Sequence, residues 1–251
     1  MGAMPGVWDR GLVGDGRRLA GSHGLCSGRA IPCFGGWRGY DGRMIYLAST
    51  SPRRAGLLRD AGYAFEQVDP AFDDSGVDLH TAATPRAAEA LAYLKAASVA
   101  DRAAMLGEPG VIVGSDTIVT LGNRQYGKPD DLDHARAMLG ELTGRTHQVV
   151  TAVALIQTPR APADADDDAA DRLPRQVLFH AVASVTIGRL DDADFEAYLA
   201  SGQWRGKAGG YNLAELRDHW PFEIDGDPTT VVGLPMRALG RHLQNFAASG
   251  R

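Results

Sequence analysis

The chain has 251 residues, 44% of them apolar and 23% charged, with 26 Lys and Arg against 31 Asp and Glu. That balance excludes fibrous, collagen-like and wholly disordered classes, and a net charge of −5 argues against a protein that coats nucleic acid through a basic face. Apolar runs such as Thr117 to Leu121 and Val149 to Ile156 are too short to cross a bilayer, so the expectation is a soluble, cytoplasmic globular protein with neither nucleic acid nor membrane as partner.

Residues 1–43 stand apart from the rest. They hold 12 of the 31 glycines, two of the four tryptophans and both cysteines (Cys26, Cys33), with no regular apolar period. No apolar core of a secretory signal is present. The stretch reads as a flexible extension or as residues upstream of a true start at Met44, and the second is favoured because Met44-Ile-Tyr-Leu-Ala opens at once as a buried strand. The rest of the chain has no cysteine, so neither a thiol nucleophile nor a cysteine-bound metal is available there.

From Met44 onward strand and helix periods alternate. Ser51-Pro-Arg-Arg leads into a helix, and Tyr63–Val68 reads as a second strand. Thr84-Pro85 starts a long helix reaching about Leu106, with Pro85 suited to the first turn. Val111–Leu121 is rich in Val, Ile and Thr and reads as a strand. Asp131–Leu142 is a helix stopped near Gly144, and strands follow over Gln148–Gln157 and Val177–Ile187. Between those two, residues 158–175 are loaded with Ala, Asp and Pro and are expected to form a mobile loop joining antiparallel strands. Its Asp cluster is read as a solvated tip rather than a metal site. A helix over Asp191–Ala200, a Gly-rich turn, short strands near Phe222 and Val231, and a closing helix over Pro235–Phe246 complete the chain. The class is α/β or α+β, in one domain over 44–251.

Three segments could carry chemistry. In Leu47-Ala-Ser-Thr-Ser-Pro-Arg-Arg, a strand-to-helix turn would aim backbone N–H groups at an anion, beside the hydroxyl of Ser49 and the guanidinium groups of Arg53 and Arg54. A helix N-cap at Ser51 followed by solvated arginines explains the same residues equally well. In Val111-Ile-Val-Gly-Ser-Asp-Thr-Ile-Val, Asp116 is costly to bury without a partner, which favours a functional carboxylate; the bland reading is a strand-edge turn at Gly114-Ser115-Asp116. Lys128, in Tyr126-Gly-Lys-Pro, is placed in a turn that could face the same site. The third segment, Gly206-Lys-Ala-Gly-Gly-Tyr, offers close backbone approach and the cation of Lys207. His147 has no second histidine or cysteine at zinc spacing, so zinc is discounted.

Together these segments resemble the Maf, or septum-formation-inhibitor, family of nucleoside triphosphate pyrophosphatases. The matching stretches are Leu-Ala-Ser-x-Ser-Pro-Arg-Arg at 47–54, Ser-Asp-Thr-Ile-Val at 115–119, Gly-Lys-Pro at 127–129, Leu-x-Gly-x-x-His-x-Val-x-Thr-Ala-Val at 142–153, Gly-Lys-Ala-Gly-x-Tyr at 206–211 and Val-Val-Gly-Leu-Pro at 231–235. They stand in the family's order over about 200 residues.

The resemblance implies a two-lobed α/β fold like that of inosine triphosphate pyrophosphatase, with an elongated mixed sheet, flanking helices and a cleft between lobes. It implies hydrolysis of a nucleoside triphosphate to monophosphate and pyrophosphate with a divalent cation, Mg or Mn. On it Asp116 is the general base and a metal ligand. Asp74, where the family usually has Glu, is the second metal ligand. Lys95, Lys128 and Lys207 lie near the phosphates, with Ser49, Arg53 and Arg54 in the anion-binding turn. Arg53 and Thr117 resemble the dTTP/UTP branch rather than the 7-methyl-GTP branch. A third selector, Gln or Glu in those branches, corresponds to Ala214, with Glu215 one residue on. The loss of that side chain implies broader base selection. A 7-methyl-GTP pyrophosphatase and a nucleotide-binding cell-division regulator are the alternatives, and a homodimer stays open.

Overall fold

The structure, a computed structural model, describes residues 43–72, 84–105, 110–158 and 175–248. The proposed extension before Arg43, the expected loop between Thr158 and Arg175, and Asp74 lie outside these residues. Among the described residues no helix is long and apolar enough to cross a membrane.

Strand β1 (Met44–Ala48) is buried after its first residue and leads through Ser49–Ser51 into α1 (Pro52–Asp60), where Pro52 occupies the first turn and needs no N–H partner. Strand β2 (Phe65–Val68) follows, shorter than its sequence pattern by two residues. The long helix expected from Thr84 is two helices, α2 (Thr84–Ala97) and α3 (Ala100–Met105). The break has a local cause. The Ser98 hydroxyl donates to the Lys95 carbonyl at 2.9 Å, and Val99 N–H turns to Ala96 O instead, at 3.3 Å. A serine hydroxyl competing for a helix carbonyl bends the chain there, and the bend buries Val99 completely.

Strand β3 (Gly110–Leu121) runs for twelve residues and turns back at Gly122 (φ 59°) into β4 (Arg124–Tyr126). Helix α4 (Leu132–Leu142) is capped by the Asp131 carboxylate, which accepts from His134 N–H. The long hairpin of β5 (Arg145–Gln157) and β6 (Gln176–Ile187) is antiparallel, as its pattern requires. Helix α5 (Asp192–Ser201), a 3₁₀ turn at Ala208–Gly210, α6 (Leu213–Leu216), β7 (Phe222–Asp225), α7 (Pro228–Val232) and α8 (Met236–Ala248) complete the chain. The strand expected near Val231 is instead the short helix α7. Asp227 accepts from Thr229 N–H, Pro228 fills the first turn and Gly233 takes φ 113° at the stop. Cap, proline and glycine together override the β preference of Thr-Thr-Val-Val.

The fold is α/β, as expected: one mixed sheet in the order β2-β1-β3-β5-β6-β7, with β4 joined to β3. Pairing of β1 with β2 and β3 is parallel, and the β3–β5, β5–β6 and β6–β7 pairs are antiparallel. Odd and even residues of β3 point to opposite faces. Val111 and Val113 join a core with α1 and α8, whereas Ile112 and Ile118 join a core under α2. A third core gathers α4, α5, Trp204 and Tyr211 against the far halves of β5 and β6.

One register detail positions everything that follows. Strand β1 stops opposite Gly114, and pairing with β4 starts only at Val119, opposite Tyr126. Among the described residues, 115–118 of β3 therefore have a strand neighbour on the β5 side only. Helix α2 closes on the same region because four of its six buried residues are alanine and Gly114 has no side chain. A Cβ at Gly114 would stand 2.2 Å from the Ala92 carbonyl oxygen. Gly114→Ala is thus expected to destabilise the fold by about 1–3 kcal/mol, the scale of forcing a methyl group into a packed contact. A denaturant midpoint equal to the parent's would contradict that close approach.

Candidate active site

A cleft of about 540 Å³ opens at this uncovered edge of β3. Ser49, Arg53, Arg54, Lys95, Asp116, Thr117, Lys128 and Lys207 all line it, so the structure gathers residues spread over some 160 positions of sequence into one place. Asp74 lies outside the described residues. Ala214 is exposed on α6 and is not among the lining residues, whereas Glu215 is.

Asp116 sits within β3, opposite Ala152 of β5, so the turn reading of Gly114-Ser115-Asp116 is corrected. The unbroken antiparallel ladder to β5 holds these residues extended. Its carboxylate meets Lys95 of α2, with Nζ to Oδ1 at 2.6 Å and both side chains 11% exposed. A lone carboxylate or ammonium there would be costly; each compensates the other. The contact uses Oδ1, and Asp116 lines the cleft.

On the opposite face of β3, Arg54 ties four segments together. Its Nε donates to the Gly233 carbonyl at 2.8 Å, Nη1 to Ser49 Oγ at 3.2 Å and Nη2 to Thr117 Oγ1 at 3.2 Å. At least three of the guanidinium's five N–H groups are thereby committed to the protein. Thr117 Oγ1 lies 3.0 Å from Thr151 Oγ1, and the Thr151 hydroxyl donates to the Thr230 carbonyl at 2.7 Å. Ser115 also donates to Gly233 O, at 2.9 Å. In the alternative reading Ser51 caps α1; it holds the N-cap position, but its side chain makes no capping bond, and its N–H donates to Ser49 Oγ at 3.2 Å.

The remaining cations converge from two glycine turns. Gly209 N–H donates to Gly127 O at 2.9 Å, which draws the turn bearing Lys207 against the turn bearing Lys128. Gly209 adopts φ 72°, and a Cβ there would stand 3.0 Å from both Tyr211 and Val119, so the approach depends on glycine. Burial lowers the Arg53 pKa, against the opposing pull of Glu215. Burial and the Arg53 charge lower that of Lys207, with Glu215 again opposing. Glu215 is thus a carboxylate that acts on both cations, and it is the residue that the sequence places one position after Ala214.

Residues 44–246 match the family described as Maf-like protein. The chain belongs to the Maf family. A dTTP/UTP pyrophosphatase of Xanthomonas oryzae pv. oryzae is 38% identical over 212 residues, covering 82% of this chain and all of the relative. One from Caulobacter vibrioides is 40% identical over 196 residues, covering 78% and 91%, and one from Ruminiclostridium cellulolyticum is 34% identical over 205 residues, covering 81% and 96%. Among solved structures, the Ham1 protein of Staphylococcus aureus superposes with a TM-score of 0.34 at 16% identity, covering 58% of this chain and 72% of that one.

Within this Maf chain, two residues without a role in the sequence analysis hold the Lys207 turn in place. His147, 2% exposed on β5, shares a 2.9 Å hydrogen bond between Nε2 and the Tyr211 hydroxyl, and the rings meet edge to face at 5.5 Å. Tyr211 closes the motif that carries Lys207 and lines the cleft. Burial lowers the His147 pKa to about 4, and the nearby Arg145 backbone acts weakly in the opposite direction. The folded value lies below the unfolded value of about 6.5, so the unfolded chain binds more protons between those limits. Stability falls as pH drops through that window, by at most about 3 kcal/mol. In His147→Gln this contribution is gone. The stability gap between parent and variant, measured by denaturation, is expected to narrow as pH falls from 7 to 4. A gap of equal width at both ends would contradict a buried neutral imidazole.

Proposed function

We propose that this protein is a nucleoside triphosphate pyrophosphatase that releases a nucleoside monophosphate and pyrophosphate, with dTTP and UTP favoured. The observation that carries the reading is the Asp116 carboxylate, held by Lys95 at 2.6 Å in a cleft that Arg53, Lys128 and Lys207 also line. Support comes from three relatives named dTTP/UTP pyrophosphatase that match over nearly their full length.

The chemistry follows from the placement. Asp116 accepts a proton from water through Oδ2, and the oxygen of that water forms a bond to phosphorus. The bond between the α- and β-phosphates breaks, and pyrophosphate leaves with the electron pair. Arg53, Lys128 and Lys207 compensate charge on the phosphate oxygens, the electrostatic contribution that dominates phosphate transfer. The Ser49 hydroxyl, just ahead of α1, adds a hydrogen-bond donor for an anion.

A divalent cation fits this donor set. Among the described residues no three His, Cys, Asp or Glu side chains stand together as a complete metal cage. Mg²⁺ is ordinarily held by one or two carboxylates plus substrate phosphates and water. Asp116 supplies one such carboxylate, and Asp74 is assigned as the second. When bound, the cation would lower the pKa of attacking water and screen the phosphates.

Base selection is assigned to Arg53, Thr117 and Glu215. The carboxylate of Glu215 in the cleft supplies the side chain that Ala214 lacks; Glu at that selector is the residue of the 7-methyl-GTP branch, so it opposes Arg53 and Thr117, and the nucleotide panel decides between them. Asp116→Asn keeps the shape and loses the base. It is expected to retain nucleotide binding while kcat for UTP falls at least ~100-fold, read by pyrophosphate release across dTTP, UTP, CTP, GTP and 7-methyl-GTP. A variant with near-parental turnover would remove Asp116 from the mechanism, and a parent that prefers 7-methyl-GTP would overturn the branch assignment.

A further inference from the structure

We infer that the buried Thr151 fixes the direction of the Thr117 hydroxyl, so that Thr117 offers the cleft only an acceptor and selects a base with a ring N–H. The inference rests on the proposed UTP and dTTP hydrolysis and deepens it by naming how the base is read.

The argument is an inventory of protons. A threonine hydroxyl has one proton to donate and two lone pairs. The single proton of Thr151 is committed to the Thr230 carbonyl at 2.7 Å. The 3.0 Å contact between Thr151 and Thr117 can then be filled only by the proton of Thr117. The guanidinium of Arg54 has no lone pair, so at 3.2 Å it occupies one acceptor position of Thr117. What Thr117 has left is one lone pair, and Thr117 lines the cleft. Thr151 and Thr230 are both fully buried, so water does not reach the chain of bonds to reverse it.

The same inventory gives Ser49 the opposite polarity. Its oxygen accepts from Ser51 N–H and from Arg54 Nη1, each at 3.2 Å, which leaves its O–H to donate. Arg54 thereby leaves a donor at the anion-binding turn and an acceptor on the strand beside Asp116.

A fixed acceptor discriminates only against a ligand atom whose polarity is also fixed. A sugar hydroxyl rotates to suit either partner. The imide N3–H of uracil or thymine is a permanent donor, whereas N3 of cytosine is an acceptor and would face the Thr117 lone pair. Thr151 is therefore a positioning residue for base recognition, with no contact to the substrate.

The test compares kcat/KM for UTP, CTP, 3-methyl-UTP and 3′-deoxy-UTP in the parent, Thr151→Val and Thr151→Ser. The parent is expected to favour UTP over CTP and 3-methyl-UTP and to be little affected by loss of the 3′-hydroxyl. In Thr151→Val the Thr117 proton is released to turn into the cleft, and the preference for UTP over CTP is expected to fall about three- to tenfold, the worth of one hydrogen bond. Thr151→Ser keeps the hydroxyl and is expected to restore the parental preference. An unchanged UTP to CTP ratio in a folded Thr151→Val protein overturns the inference. So does a parent that uses 3-methyl-UTP as well as UTP, or one that loses activity on 3′-deoxy-UTP instead; these readings on the parent decide the matter even if the valine variant does not fold. No turnover of any of the four would overturn the pyrophosphatase reading as well, whereas turnover with the wrong selectivity overturns this inference alone.

Discussion

The site depends on a gap in strand pairing. Among the described residues, for four positions after Gly114 β3 has lost β1 and has not yet met β4, while β5 pairs with it from Val111 to Thr120. A strand held on one edge and open on the other presents side chains from both of its faces to the same space. Asp116 reaches the cleft from the α2 face and Thr117 from the face of α1 and α7. A carboxylate and a hydrogen-bonding hydroxyl thus stand on adjacent residues without competing for room. The close approach of α2 at Gly114 makes the first available, because it sets Lys95 within 2.6 Å of the carboxylate.

Charge in the cleft divides into two kinds. The Lys95 and Asp116 charges are compensated by each other inside the fold, and Arg54 is spread over three protein acceptors. These are fixed groups whose orientation survives solvent and substrate exchange. Arg53, Lys128 and Lys207 come from a helix start and two glycine turns and face the cleft with Glu215 as the counter-charge nearest two of them. On the proposed function, a substrate with several phosphate charges would complete that second set. Preorganised groups of the first kind cost little reorganisation when charge develops during reaction, and the second kind supplies attraction for the phosphates.

The sequence discloses the fold wherever a local rule acts alone. The β-branched run over β3, the Asp caps of α4 and α5 and the long β5–β6 hairpin all follow from residues within a few positions of one another. It misleads where a local signal is outvoted. Thr-Thr-Val-Val near Val231 has strand composition but begins with Asp227-Pro228 and ends at Gly233, and the helix wins. Ser98 is an ordinary residue in a helical pattern until its hydroxyl takes the Lys95 carbonyl and breaks the helix. In the site, an acid inside an apolar run marks Asp116 directly, because its burial has to be compensated. Lys95, 21 residues earlier, was legible only through resemblance, since nothing in a helix pattern marks which lysine turns inward. Thr151 stands in the sequence only as one residue of the 142–153 motif, with no sign of its role: it reads as one more β-branched strand residue, and its partner Thr230 lies 79 residues away. Ala214 and Glu215 show the limit of position-by-position transfer. A four-residue helix turns one side chain outward and the next into the cleft.

The central claim is that the open edge of β3 directs water to the bond between the α- and β-phosphates. A ³¹P NMR time course of UTP hydrolysis with Mg²⁺ tests it most directly, because it follows every phosphorus product at once. The account predicts UMP and pyrophosphate appearing together in equal amounts, with neither UDP nor orthophosphate as an early product. Early UDP with orthophosphate would place the cleavage at the terminal phosphate and contradict the account.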